Sequence, residues 1–179
     1  MSKRRREVRY LIEDEVRALQ ESIEPNTMTD ACDRTIIDLI LDTGMQISEV
    51  AILSRFGICS TSGTIQVNGK HCRRVPISLP VQESVASYLE WREADPEVNR
   101  QDKEALFLDH LGGRLSAQAI RAMLQRRFSA AGIVTLGGRC VLRHTFAVRM
   151  ARQGTNRHRL QILLGLGSIS PTRIYYELA

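Results

Sequence analysis

Two runs near the end of the chain decide its reading: Cys140-Val-Leu-Arg143-His144-Thr-Phe-Ala147 and Leu163-Leu-Gly-Leu166-Gly-Ser-Ile-Ser-Pro-Thr-Arg173-Ile-Tyr175-Tyr176. The first opens an amphipathic helix, predicted from about Val141 to just before Gly154, with an arginine in its opening turn. Another helix is predicted after Asn156 and runs into the Leu-Gly turn. Pro171 suits a first helical turn, where its missing N–H has no intrahelical partner, so a last short helix should start there. That helix carries two adjacent tyrosines. Successive helical side chains diverge by about 100°, so Tyr175 and Tyr176 cannot face the same point.

Working back toward the N-terminus, helical periodicity recurs. Ile12, Val16, Leu19 and Ile23 lie three or four apart and predict one helical face between Leu11 and Ile23. A second helix is predicted over Thr29–Thr43, with Ile36, Ile37, Ile40 and Leu41 inward and Gly44 as its C-terminal cap. Ser48-Glu49 begins another short helix. Residues 56–78 then change character, with glycines at 57, 63 and 69 and β-prone runs at Thr64–Val67 and Arg73–Ile77. Asn68-Gly69 supplies the positive φ angles of a tight hairpin turn, so a small antiparallel sheet should result, its tip carrying Lys70 and His71. Pro80–Ala94 is amphipathic through Val81, Val85, Tyr88 and Leu89, and Asp95–Lys103 reads as a polar loop. Leu106-Phe-Leu leads to a turn over His110–Arg114. Ser116 caps a helix whose stripe of Ile120, Met123, Leu124 and Phe128 is core. The fold class is mainly α with a small antiparallel β-sheet, an α+β domain.

The chain has 179 residues, 43% of them hydrophobic, enough for one well-buried domain and too few for two. No apolar run reaches the roughly 18 residues a membrane helix needs, and no signal-peptide core follows the basic N-terminus. A cytoplasmic protein, associated with the nucleoid, is expected. Cys32, Cys59, Cys72 and Cys140 form no CxxC pair and have no histidine at metal-ligand spacing, so no metal or other cofactor is expected. Cys59 and Cys72 flank the hairpin and could face each other, but a reducing compartment disfavours a disulfide. The net charge of +5 and a sequence pI near 9.3 suit a polyanionic partner, because basic side chains release counterions from phosphates. Residues 1–9 form a basic arm, either a solvated linker stub or a DNA-contacting segment through Lys3, Arg4, Arg5 and Arg6. Residues 10–179 form the domain.

The two opening runs, with Thr43-Gly44-Met45-Gln46-Ile47-Ser48-Glu49, resemble the catalytic domain of tyrosine recombinases, the phage integrase family. That family reads His-x-Leu-Arg-His-Thr-Phe, Leu-Gly-His-Ser-x-(Ile/Leu)-x-Thr-Thr-x-x-Tyr and Thr-Gly-x-Arg-x-Ser-Glu at the three places. The resemblance implies site-specific DNA recombination or integration through a 3′-phosphotyrosyl intermediate. Such chemistry needs a nucleophile, cations for the charge building on the phosphoryl oxygens, and an acid for the leaving 5′ oxygen. It assigns Tyr175 as nucleophile, Arg143 as a clamp arginine whose planar fork suits two phosphate oxygens, and Lys70 as the hairpin lysine that protonates the leaving oxygen. His144 is the ordinary neighbour of Arg143 and reads as structural. Arg173, beside the nucleophile, joins the basic arm as a DNA-binding candidate.

Three positions depart from the pattern. The first clamp arginine is Gln46, the histidine opening His-x-x-Arg is Cys140, and the histidine after Leu-Gly is Leu166. Glutamine can donate a hydrogen bond but carries no charge, and leucine can do neither. Two functions follow. One is a recombinase acting on double-stranded DNA, with a homo-oligomer on the DNA as its expected assembly; the other is a degenerate homologue that binds DNA as a regulator or accessory factor without cutting. The upstream core-binding domain usual in the family is absent, which fits either an excised domain or a naturally short form such as the fimbrial switch invertases. Only four residues follow Tyr175, which argues against ordinary tetramer assembly through a C-terminal tail.

Overall fold

The computed structural model describes residues 8–69, 71–94, 102–134 and 140–179. Helix α1 spans Glu13–Glu21, α2 Met28–Thr43, α3 Ile47–Ala51, α4 Leu79–Ala94, α5 Ala117–Ala130, α6 Val141–Arg152, α7 Arg157–Leu164 and α8 Arg173–Glu177. Between α3 and α4 lies a three-stranded antiparallel sheet, β1 Ile58–Cys59, β2 Thr64–Val67 and β3 Arg73–Pro76, in the order β1-β2-β3. The expected α+β class is therefore observed, and the hairpin forms in the register Val67↔Arg73 and Ile65↔Val75.

Helix α2 is the organising element, because it packs on both α4 and α6. Its Ile36, Ile37 and Leu39 are wholly buried, and the Thr27 hydroxyl caps its start by accepting from the Asp30 N–H. The larger core joins α1 to α5, the sheet and the start of α6, while a second cluster of Phe146, Ala147, Val148, Leu160, Leu164 and Tyr175 gathers α6, α7 and α8. The stripe of Ile120, Met123, Leu124 and Phe128 is buried as expected.

Ile12 departs from its expected place. It is 53% exposed, because it serves as the N-cap of α1 rather than a member of its inward face, where Leu11 and Ile23 flank Val16 and Leu19 in the core. The final helix has a 3₁₀ entry over Ser170–Thr172 before α8, with Pro171 in that first turn. Val8 packs against the second cluster, and Arg9 pairs with Glu15. All four cysteines are free thiols.

Candidate active site

Arg143 is held where two helices end. Helix α2 terminates on Gly44, which adopts a left-handed conformation at φ 65°, and α7 terminates on Leu164 before Gly165 at φ 62°. The last carbonyls of a helix lack intrahelical donors and carry its negative dipole end. Arg143 answers both: Nη1 donates to the Gly44 carbonyl and Nη2 to the Leu164 carbonyl, each at 2.8 Å. The close approach requires glycine at 44, since a Cβ there would lie 2.3 Å from Cδ1 of Phe146. With 8% of its surface exposed, Arg143 has its pKa lowered by burial, an effect opposed by the Glu49 carboxylate 3.9 Å away. An arginine starts so far above neutrality that it stays charged. The chain thus presents a fixed cation with further N–H groups toward its surroundings.

Glu49 links that cation to the hairpin. Its carboxylate accepts from Arg73 at 2.6 and 3.1 Å, and from the Gln46 backbone N–H at 2.8 Å. Arg73, the first residue of β3, also donates from Nε to the Leu163 carbonyl at 2.8 Å. One buried ion pair therefore ties α3, β3 and the end of α7 to the wall behind Arg143. Sequence reasoning passed over Arg73. The available signal was strand alternation, which sets Arg73 on the same face as the buried Val75.

Tyr175 lies on α8 with 7% of its surface exposed, and its hydroxyl sits 3.0 Å from Nδ1 of His144. The two rings are 5.7 Å apart and tilted by 41°. Burial raises the Tyr175 pKa, and the Arg143 charge pulls it back down. His144 is pushed below its ordinary value by burial and then by Arg143, so its imidazole is neutral at pH 7. Tyr176 points elsewhere, donating its hydroxyl to the Thr155 carbonyl. The divergence expected of adjacent helical tyrosines is observed, and His144, read from sequence as structural, proves to touch the Tyr175 hydroxyl.

The substituted positions fall around this centre. Gln46, exposed at the start of α3, and Cys140, the exposed N-cap of α6, line one cleft of about 340 Å³ with Arg143, Ser48 and Arg121. Arg121 was not anticipated; it emerges beside the buried Ile120 at the edge of the α5 stripe. Leu166 packs, half-buried, against the second cluster. Arg173 is largely exposed and forms a 2.7 Å ion pair with Glu177. Lys70 and the arm residues Lys3, Arg4, Arg5 and Arg6 lie outside the described residues. Among the described residues no group of three or more His, Cys, Asp or Glu is placed to hold a metal, and no helix is long and apolar enough to cross a membrane.

A family model for the phage integrase family matches residues 9–179. The chain belongs to that family. Among its relatives, tyrosine recombinase XerC of Pelotomaculum thermopropionicum is 30% identical over 93% of the chain and 56% of its own length. Tyrosine recombinase XerD of Staphylococcus aureus is 33% identical over 90% of the chain and 55% of its own length. This phage integrase family member thus spans about half the length of the relatives it matches. The crystal structure of XerA recombinase superposes with a TM-score of 0.80 at 25% identity, covering 98% of this chain and 61% of that one. The catalytic domain of bacteriophage HP1 integrase shares the fold at a TM-score of 0.69 and 23% identity, covering 97% of this chain and 89% of that one.

Proposed function

We propose that this chain is the catalytic domain of a site-specific DNA recombinase that cuts and rejoins duplex DNA through a 3′-phosphotyrosyl link on Tyr175. The observation that carries the reading is the convergence of Tyr175 and Arg143, the family's nucleophile and clamp positions, on one corner between α6, α7 and α8. Arg143, immobilised by two carbonyls, would donate its remaining N–H groups to the non-bridging phosphate oxygens and offset the charge that builds there. Gln46 would add an uncharged hydrogen bond from the cleft wall, and Lys70 would protonate the departing 5′ oxygen. XerH, a recombinase of the same fold, is known bound to its difH substrate in a post-cleavage complex.

Residues 10–179 would be the catalytic body, and Lys3, Arg4, Arg5 and Arg6 of the basic arm would contact the DNA backbone together with Arg173. The protein would act on the nucleoid in the cytoplasm, with further copies assembled on the DNA. A second reading, a non-cutting DNA-binding regulator, draws on Gln46, Cys140 and Leu166, where charge and proton-transfer groups of the family are replaced. Each lost charged donor commonly costs on the order of a hundredfold to a thousandfold in rate.

A suicide substrate separates the two. Duplex DNA nicked beside the scissile phosphate releases the 5′-hydroxyl fragment and traps any covalent complex. A protein–DNA band that disappears in Tyr175→Phe is expected. Salt-sensitive DNA binding with no such band would leave only the regulator.

A further inference from the structure

We propose that His144 is the proton acceptor for the Tyr175 hydroxyl, a catalytic residue outside the family positions assigned above. The inference rests on the strand-cleavage reading and deepens it by supplying the base that the reading lacks.

The geometry is direct. Nδ1 of His144 stands 3.0 Å from Oη of Tyr175, within the reach needed for proton transfer. Helix α6 fixes the histidine, whose backbone N–H donates to the Cys140 carbonyl at 2.8 Å, and α8 fixes the tyrosine. The two positions where the family keeps histidines offer no equivalent. Leu166 has no lone pair to give, and Cys140 sits at the exposed N-cap lining the Gln46 cleft. The electrostatics agree with the geometry. Burial holds the Tyr175 phenol protonated at neutral pH, while burial and Arg143 hold His144 neutral with a lone pair free to accept. Among the described residues, the charged or titratable groups acting on the pair are Arg143 on α6 and Cys140 at its start.

The Oη–H bond of Tyr175 breaks and its proton passes to Nδ1 of His144 as Oη forms a bond to phosphorus. The bond from phosphorus to the 5′ oxygen breaks, its electron pair stays on that oxygen, and a proton from Lys70 completes the 5′-hydroxyl. On rejoining, the 5′-hydroxyl gives its proton back to Lys70 as its oxygen attacks phosphorus, the P–Oη bond breaks, and the imidazolium returns its proton to Tyr175. The phosphodiester anion held by Arg143 offsets the charge that His144 gains beside that arginine.

The test is the single-turnover rate of covalent complex formation on nicked duplex DNA, measured from pH 5 to 9. The parent rate should be level at neutral pH and fall only once the pH drops below the ordinary histidine value of 6.5, as His144 takes up a proton. His144→Gln should be slower at pH 7 by roughly a hundredfold to ten-thousandfold, should lose the acid limb, and should rise with pH as hydroxide takes over. DNA affinity should be unchanged. His144→Ala, slowed alike, should regain rate when free imidazole is added, which guards against a variant impaired only in packing. A His144→Gln rate and profile matching the parent, or no imidazole rescue of His144→Ala, overturns the assignment. Failure of the parent itself to form an adduct overturns the strand-cleavage reading and this assignment with it, and shows before any His144 variant is made.

Discussion

Arg73 grips the Glu49 carboxylate with both terminal nitrogens, at 2.6 and 3.1 Å, and the pair is nearly sealed from solvent, with 7% and 12% of the two side chains exposed. Removing one partner of such a pair strands the other as an uncompensated buried charge. Glu49→Ala should lower unfolding stability by roughly 3–5 kcal/mol, read by urea denaturation. Replacing both residues with methionine should recover part of that loss, because the desolvation cost of the two ions vanishes with them while Arg143 still loses its Glu49 counter-charge.

Gly44 holds the end of α2 against α6. With φ at 65° and Phe146 only 2.3 Å from where a Cβ would stand, Gly44→Ala combines backbone strain with overpacking. A loss of roughly 2–5 kcal/mol is expected in thermal or urea unfolding. The Gly44 carbonyl also anchors Arg143, so adduct formation should drop even at temperatures where the variant stays folded.

Gln46 lines the Arg143 cleft with its side chain exposed, so a longer cation fits without displacing core. Gln46→Arg should accelerate formation of the phosphotyrosyl adduct on the order of a hundredfold, by restoring a charged donor to the phosphate. DNA affinity in low salt should change far less, since one added phosphate contact is a small share of the total.

Arg121 lines the same cleft and is exposed. If it meets a phosphate, Arg121→Ala should weaken duplex binding alike across sequences and reduce the slope of log affinity against log salt by roughly 1. Titration at several salt concentrations reads both effects.

Acid should loosen the fold. Asp30 is held below its ordinary value of 3.8 by the Thr27 hydroxyl and then by Arg127, and Asp102 is held down by the Ala105 backbone N–H. Glu13 and Glu15 are held below 4.5 by Arg149 and Arg9 respectively. A depressed carboxyl contributes stability that is present above its unfolded pKa and lost as the pH falls through the folded one. Asp33 acts in the opposite sense, because burial raises its pKa even beside Arg127, so protonation relieves a cost. Through the four depressed groups the urea midpoint should decline from about pH 4.5 downward, and Asp33→Asn should steepen that decline by removing the opposing contribution.

Much of this was legible in the chain because local chemistry agreed with the tertiary outcome. Gly44 ended α2 as a left-handed cap, Asn68-Gly69 marked the hairpin, and the α5 stripe was core. Ile12 misled because period alone cannot separate a helix's first inward residue from its N-cap, which faces outward here. The site was half legible. Arg143 and Tyr175 announced themselves by their neighbours, whereas the contact of His144 with Tyr175 spans 31 residues and exists only once α6 meets α8. Arg73 was hidden among many arginines, and only its inward position on β3 set it apart.

Tyr175, and not its neighbour, is the proposed point of covalent attachment to DNA. Tyr175 faces His144 and Arg143, while the Tyr176 hydroxyl is spent on the Thr155 carbonyl. The most direct measurement digests the trapped protein–DNA complex with nuclease and protease and locates the residual nucleotide by mass spectrometry. A phosphotyrosyl nucleotide on Tyr175 is the predicted result; a nucleotide on Tyr176, or on no tyrosine, would contradict the account.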